Sequence, residues 1–142
     1  MKAINILVSI CLTSFPFVSL AASPQEEARV IATVKEAYAS KAFPPLFELY
    51  YLVGVPESLI DRIADEIDSG FQGKGTISEI RFIEPDPNFL THLNRGGVTY
   101  KPTLPITRSL EVRFAGAANK GTTFQVGEKD GRLYLVAVVP TK

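Results

Sequence analysis

FQVGEKDGRLYLVAVV, residues 124–139, decides the fold. Within it, Lys129-Asp130-Gly131-Arg132 has the chemistry of a two-residue hairpin turn, with glycine where the backbone needs a positive φ. Closing that turn on Lys129 and Arg132 sets a register. Val126 then lies opposite Leu135 and Phe124 opposite Ala137 on one face, with Gly127 opposite Tyr134 on the other. A cross-strand tyrosine over a strand glycine is a stabilising pair. Beyond the turn the strand is apolar on both faces. Tyr134, Val136 and Val138 alternate with Leu133, Leu135, Ala137 and Val139, the pattern of a central or covered strand.

Upstream of the hairpin the period stays at two. Ile106, Arg108, Leu110, Val112 and Phe114 alternate with Thr107, Ser109, Glu111 and Arg113, which predicts a half-buried antiparallel strand. Val98 to Pro102 reads as a short strand near an edge and Thr76 to Glu84 as a further strand, with a Pro- and Gly-bearing loop over residues 85–97 between them. Gly73 and Gly75 mark the point where the chain changes character.

Before Gly73 the spacing is helical. Ser23-Pro24-Gln25-Glu26 combines a capping box with proline at the first helical position. Ala28, Ile31, Val34, Tyr38 and Ala42 then form one stripe, ended by Pro44 and Pro45. A short second helix is expected over residues 46–52, broken by Gly54. A third opens after Pro56, with Leu59, Ile60, Ile63, Ala64 and Ile67 on its buried face and Gly70 at its end.

The chain has 142 residues. Lys2, the apolar run Ile4 to Leu12 and the small residues Ser19-Leu20-Ala21 read as a secretory signal peptide cleaved after Ala21. The run is too short to span a bilayer. The domain organisation is therefore a signal peptide over residues 1–21 and a single α+β domain over residues 22–142, with the product exported to a periplasm or the medium. Cys11, the one cysteine, leaves with the peptide, so the product has no disulfide, reactive thiol or thiolate metal site. Lys2 is the only charge lost from a balance of 15 Lys plus Arg against 15 Asp plus Glu, which leaves nothing to attract nucleic acid or an anionic membrane. A single histidine, His92, cannot build a multi-histidine metal site, and no cofactor-binding motif occurs.

Three helices followed by a curved antiparallel sheet of four to five strands resemble the cone-like nuclear-transport-factor-like and cystatin-like folds. The resemblance implies that the helices pack on one face of the sheet. The stretches Leu46 to Tyr51 with Gly54-Val55, Gly97 to Pro102, and Val126-Gly127 before Lys129-Asp130-Gly131 resemble small exported bacterial proteins. That resemblance implies no catalytic residue. The protease-inhibiting loop of true cystatins, Gln-x-Val-x-Gly, is matched only by a shortened Gln125-Val126-Gly127 inside a strand, so inhibition of that kind is not expected.

Arg108 is the first site candidate, because its parity puts a guanidinium among apolar neighbours and a buried arginine needs a partner. Register parity brings it opposite Glu128 or Asp130. The pair is either structural or a charged group for a ligand carboxylate, in a pocket to which Tyr50 and Tyr100 add hydroxyls. His92 with a nearby acid is the minimum for general acid/base work. Glu57, Asp61, Asp65 and Asp68 form an acidic stripe that is most simply a solvated face. Tyr134, Val136 and Val138 form an outer apolar face suited to a homodimer. The expectation is a non-catalytic module that binds a small ligand or an envelope protein. The alternative is a small pocket enzyme using His92 or a carboxylate.

Overall fold

The computed structural model describes residues 22–87, 94–116 and 121–141. The expected signal peptide, Cys11 and His92 lie outside the described residues. The fold is α+β. Helices α1 (Pro24–Ser40), α2 (Phe43–Phe47) and α3 (Glu57–Gly70) are interleaved with strands β1 (Tyr50–Tyr51), β2 (Ile77–Ile83), β3 (Asn94–Arg95), β4 (Val98–Pro102), β5 (Ile106–Phe114), β6 (Gly121–Lys129), β7 (Arg132–Val136) and β8 (Val138–Pro140). Two sheets form, a five-stranded one in the order β1-β7-β6-β5-β2 and a three-stranded one in the order β3-β4-β8. Among the described residues no helix is long and apolar enough to cross a membrane.

Ser23 starts α1 as expected of an N-cap, its hydroxyl accepting from the Glu26 N–H at 3.3 Å. The reciprocal half of the capping box is absent, because the Glu26 carboxylate has another task. It pairs with Arg29 at 2.9 Å and accepts the Leu133 N–H at 3.2 Å, while Arg29 donates to the Leu133 carbonyl at 2.9 Å. Two side chains of α1 thus stand in for a strand on one edge of β7. The Leu133 backbone groups would otherwise be exposed there.

The next stretch corrects the expected boundaries. Lys41 ends α1 with φ 50, before the two prolines, which sit inside α2 instead of terminating α1. Residues 50–51, expected in the second helix, form β1 and run parallel to β7, with Tyr50 beside Leu135 and Tyr51 beside Val136. The Leu135 N–H donates to the Leu49 carbonyl at 2.8 Å, so β1 continues the edge cover that Glu26 and Arg29 begin.

The hairpin register is Lys129↔Arg132, Gly127↔Tyr134 and Val126↔Leu135, and it ends there. The expected pair of Phe124 with Ala137 is not made. The chain changes sheets at Ala137, whose carbonyl accepts the Thr103 N–H at 2.8 Å and whose N–H donates to Thr103 Oγ1 at 3.2 Å. From Val138 onward it pairs with β4.

The core joins Val30, Val34 and Ala37 of α1, Leu46 of α2 and Ile67 of α3 with Leu49 and Phe71 and with Leu110, Val112, Phe114, Val126, Leu133 and Leu135 of the sheet. Side chains at Leu46, Leu110, Leu133 and Leu135 are fully buried. The α1 stripe is rotated from the expected one. Val30, Val34 and Ala37 carry it, and Ala28 is exposed.

Candidate functional site

Beyond Val126↔Leu135, β6 continues to Gly121 with a ladder only on its β5 side. The gap left between β6 and the departing β7–β8 segment opens a cleft of about 940 Å³. Thr123, Phe124 and Gln125 line it from β6, and Leu135, Val136, Ala137 and Val138 line it from the other strand. Successive residues of a strand point to opposite faces of a sheet. A cavity lined by consecutive residues of both strands therefore runs along their edges instead of lying on one face.

The helical side of the cleft is α3. Its residues Leu59, Ile63 and Ile67 line the cavity with Arg62 and Glu66 between them, and Tyr38, Leu46 and Tyr50 close it toward α1 and α2. Only Ile67 of α3 is buried, at 6% exposure. Leu59, Ile60, Ile63 and Ala64, expected in the core, are half-buried because part of this face meets the cleft. Asp86, Arg95 of β3 and Tyr100 of β4 complete the lining.

Gly127 fixes how the sheet is covered beside the cleft. A Cβ there would stand 2.7 Å from the Pro105 carbonyl oxygen, 2.8 Å from Leu104 Cβ and 3.1 Å from Val136 Cγ2. Glycine is required because the Leu104-Pro105 segment lies directly against this strand. Tyr134 is the cross-strand partner of Gly127, but its ring sits edge-on to Tyr51 with centroids 5.5 Å apart.

The electrostatics of the cleft follow from burial. Desolvation pushes the Tyr50 hydroxyl well above the ordinary tyrosine range, and neighbouring Tyr38 and Glu66 push it the same way. Burial also raises Tyr38, offset in part by a hydrogen bond with the Thr122 side chain. Both phenols stay protonated at neutral pH and act as hydrogen-bond donors. Glu66 pairs with Arg62 at 3.1 Å in an exposed i,i+4 bridge. Arg95 is exposed and ion-paired with no described carboxylate. The Gln125 side chain is held by Ser109, whose hydroxyl donates to Oε1 at 2.8 Å.

Of the residues singled out in the sequence, Tyr50, Tyr100, Val136 and Val138 come together in the cleft. Arg108 does not. The β5–β6 register runs unchanged from Arg113↔Gly121 to Arg108↔Val126, so Arg108 lies beside Val126, not Glu128 or Asp130, and a bulge displaces only Ile106 beyond it. Its guanidinium pairs instead with Glu27 of α1 and stacks over Phe82 at 5.5 Å. Glu128 lies opposite Leu133, away from the cleft. The outer apolar face expected of Tyr134, Val136 and Val138 is interrupted. Val136 is 9% exposed, packed near Gly127, and Val138 has crossed into the other sheet with 38% exposure. Glu57, Asp61, Asp65 and Asp68 are all solvent-exposed. Among the described residues no group of three or more His, Cys, Asp or Glu could hold a metal ion. Arg62, Glu66, Thr123 and Gln125 carried no site signal in the sequence, since helical and strand periodicity mark a face without saying what it meets.

No protein-family model, curated protein or solved structure matches the chain.

Proposed function

We propose that this protein is a non-catalytic binding module, exported after loss of residues 1–21, that holds a small amphipathic ligand or part of another envelope protein in the cleft beside α3. The observation that carries this reading is the half-buried apolar face of α3 over a cavity of about 940 Å³, a volume within the usual range of ligand sites. Leu59, Ile63 and Phe124 offer apolar contact, while the protonated Tyr38 and Tyr50 hydroxyls and the Gln125 side chain offer a few fixed polar groups. Such a lining suits orientation and retention of a ligand.

The finer architecture belongs to the same reading. Three helices close one face of a curved sheet into a cone, as in the nuclear-transport-factor-like fold, and the cleft is the cone's opening. Its support is the shared core of α1, α2 and α3 residues with the inward positions of β5, β6 and β7.

The test uses 8-anilinonaphthalene-1-sulfonate, an apolar anion whose fluorescence rises in such sites. Wild-type protein should bind it saturably and Ile63→Asp should lose most of the enhancement while retaining its circular dichroism. Equal enhancement by a folded Ile63→Asp would remove the cleft from consideration.

A further inference from the structure

From the unladdered edge of β6 in the cleft, we infer that the occupant is an extended peptide segment that adds to this edge as a strand, with an acidic residue or carboxyl end near Arg95. This rests on the reading of the cleft as a binding site and names what it takes.

A two-residue hairpin makes the pair flanking the turn a hydrogen-bonded one, so Lys129↔Arg132 and Gly127↔Tyr134 exchange backbone bonds. By alternation, the backbone groups of Gln125 and Thr123 point toward the same side as those of Gly127. The non-hydrogen-bonded pair Val126↔Leu135 places the Val136 N–H on the Gln125 carbonyl, so among the described residues the Gln125 N–H and both backbone groups of Thr123 are left open, and that side is the cleft. Those of Phe124 and Thr122 turn toward β5, where the ladder is continuous. A small apolar ligand could fill the space beside α3, but it would leave these backbone donors and acceptors to water. A peptide strand satisfies them.

Two further observations favour a segment over a compact ligand. Val98, Tyr100 and Pro102 share one face of β4, opposite Pro140 and Val138 of β8. Tyr100 and Val138 line the cleft, while Val98 is exposed at 40%. The apolar lining therefore continues out of the cavity along the three-stranded sheet, as contact for an occupant longer than the cavity. The cleft carries Arg62 paired with Glu66, the carboxylate of Asp86, and Arg95, which is ion-paired with no described carboxylate, so an anionic group on the segment is matched only at the Arg95 end.

The experiment passes a pool of acetylated heptapeptides, with alternating randomised apolar and polar positions, over immobilised protein and resynthesises the best-retained peptide. Expected are saturable binding, amide shifts at Thr123 and Gln125, and at least tenfold weaker binding when alternate peptide nitrogens are methylated. Arg95→Gln should weaken binding about threefold. Thr123→Pro removes the cleft-side N–H, together with the threonine side chain, and should weaken it about tenfold. Because that variant could fail to fold, the methylated peptide on wild-type protein decides independently. Equal affinity of the methylated peptide, or no retained peptide while the anilinonaphthalene probe still binds, overturns the strand proposal and leaves the binding module standing. Failure of both peptide and probe overturns both. A concentration-dependent dimer that blocks the peptide would assign the edge to a second copy of the chain and overturn the proposal too.

Discussion

Helices α1 and α3 carry apolar residues at the same spacing, and α3 segregates them more sharply. Yet α1 buries Val30, Val34 and Ala37 to within 1% of full exclusion, whereas α3 buries only Ile67. The difference lies in what each helix meets. The first packs into the core of a sheet and is fastened to its edge by Glu26 and Arg29. The third faces the gap where β6 and β7–β8 part company. Amphipathic spacing tells which face turns inward. It does not tell whether protein fills the space in front of that face.

The contrast is broken most directly by truncating matching residues. Val34→Ala should cost about 2–3 kcal/mol of stability, because it deletes fully buried methyl groups and leaves a hole. Ile63→Ala on α3, although it removes more atoms, should cost under about 1 kcal/mol, since half of them face the cleft. Urea unfolding of the two variants measures both; equal losses would mean that α3 is packed as tightly as α1.

Next in size is the fastening of α1. Replacing the Glu26 carboxylate by Glu26→Gln should cost about 1 kcal/mol near neutral pH, the ordinary net value of such hydrogen bonds. The Arg29 hydrogen bond, with that from the Leu133 N–H, holds the Glu26 carboxyl below the usual range against the opposing effect of burial. A depressed folded pKa gives stability that is full above the unfolded value of 4.5 and disappears as pH falls through the folded one. The wild type should therefore lose stability on acidification more steeply than Glu26→Gln in that window. Parallel acid limbs in denaturant titrations would show that the carboxylate contributes nothing.

The helix caps give the smaller effects. Ser23→Ala should cost roughly 0.5–1 kcal/mol by removing the acceptor for the Glu26 N–H. At α3 the N-cap is Pro56, with no side-chain hydrogen bond. Pro56→Asp should therefore add a few tenths of a kcal/mol, about 0.5 at most, to an otherwise unchanged protein. Thermal midpoints moving in opposite directions for the two substitutions would sharpen the comparison.

The hairpin was legible because Asp130-Gly131 leaves the backbone few choices, and one turn propagates its register to Val126 and Leu135. β5 was legible for a similar reason, Leu110, Val112 and Phe114 keeping one buried face in a register that holds from Arg108 to Arg113. The break at Ala137 was not, since a strand apolar on both faces has no period to interrupt. Thr103, which bonds both backbone groups of Ala137 at the break, is 34 residues away. The cleft follows from that break, so Thr123 and Gln125 could not be placed in it beforehand. Arg108 illustrates the same limit. Its need for a carboxylate could be read from its neighbours, but Glu27 lies 81 residues away and no local rule connects them.

The clasp of Glu26 and Arg29 on Leu133 also says something about time. Its hydrogen bonds span 104 and 107 residues, so the first helix acquires its partner only after nearly all of the intervening chain has been made. Contacts this distant in sequence slow folding, because a large loop must close before they form. A ribosome-bound chain would thus carry α1 unclasped until β7 emerges.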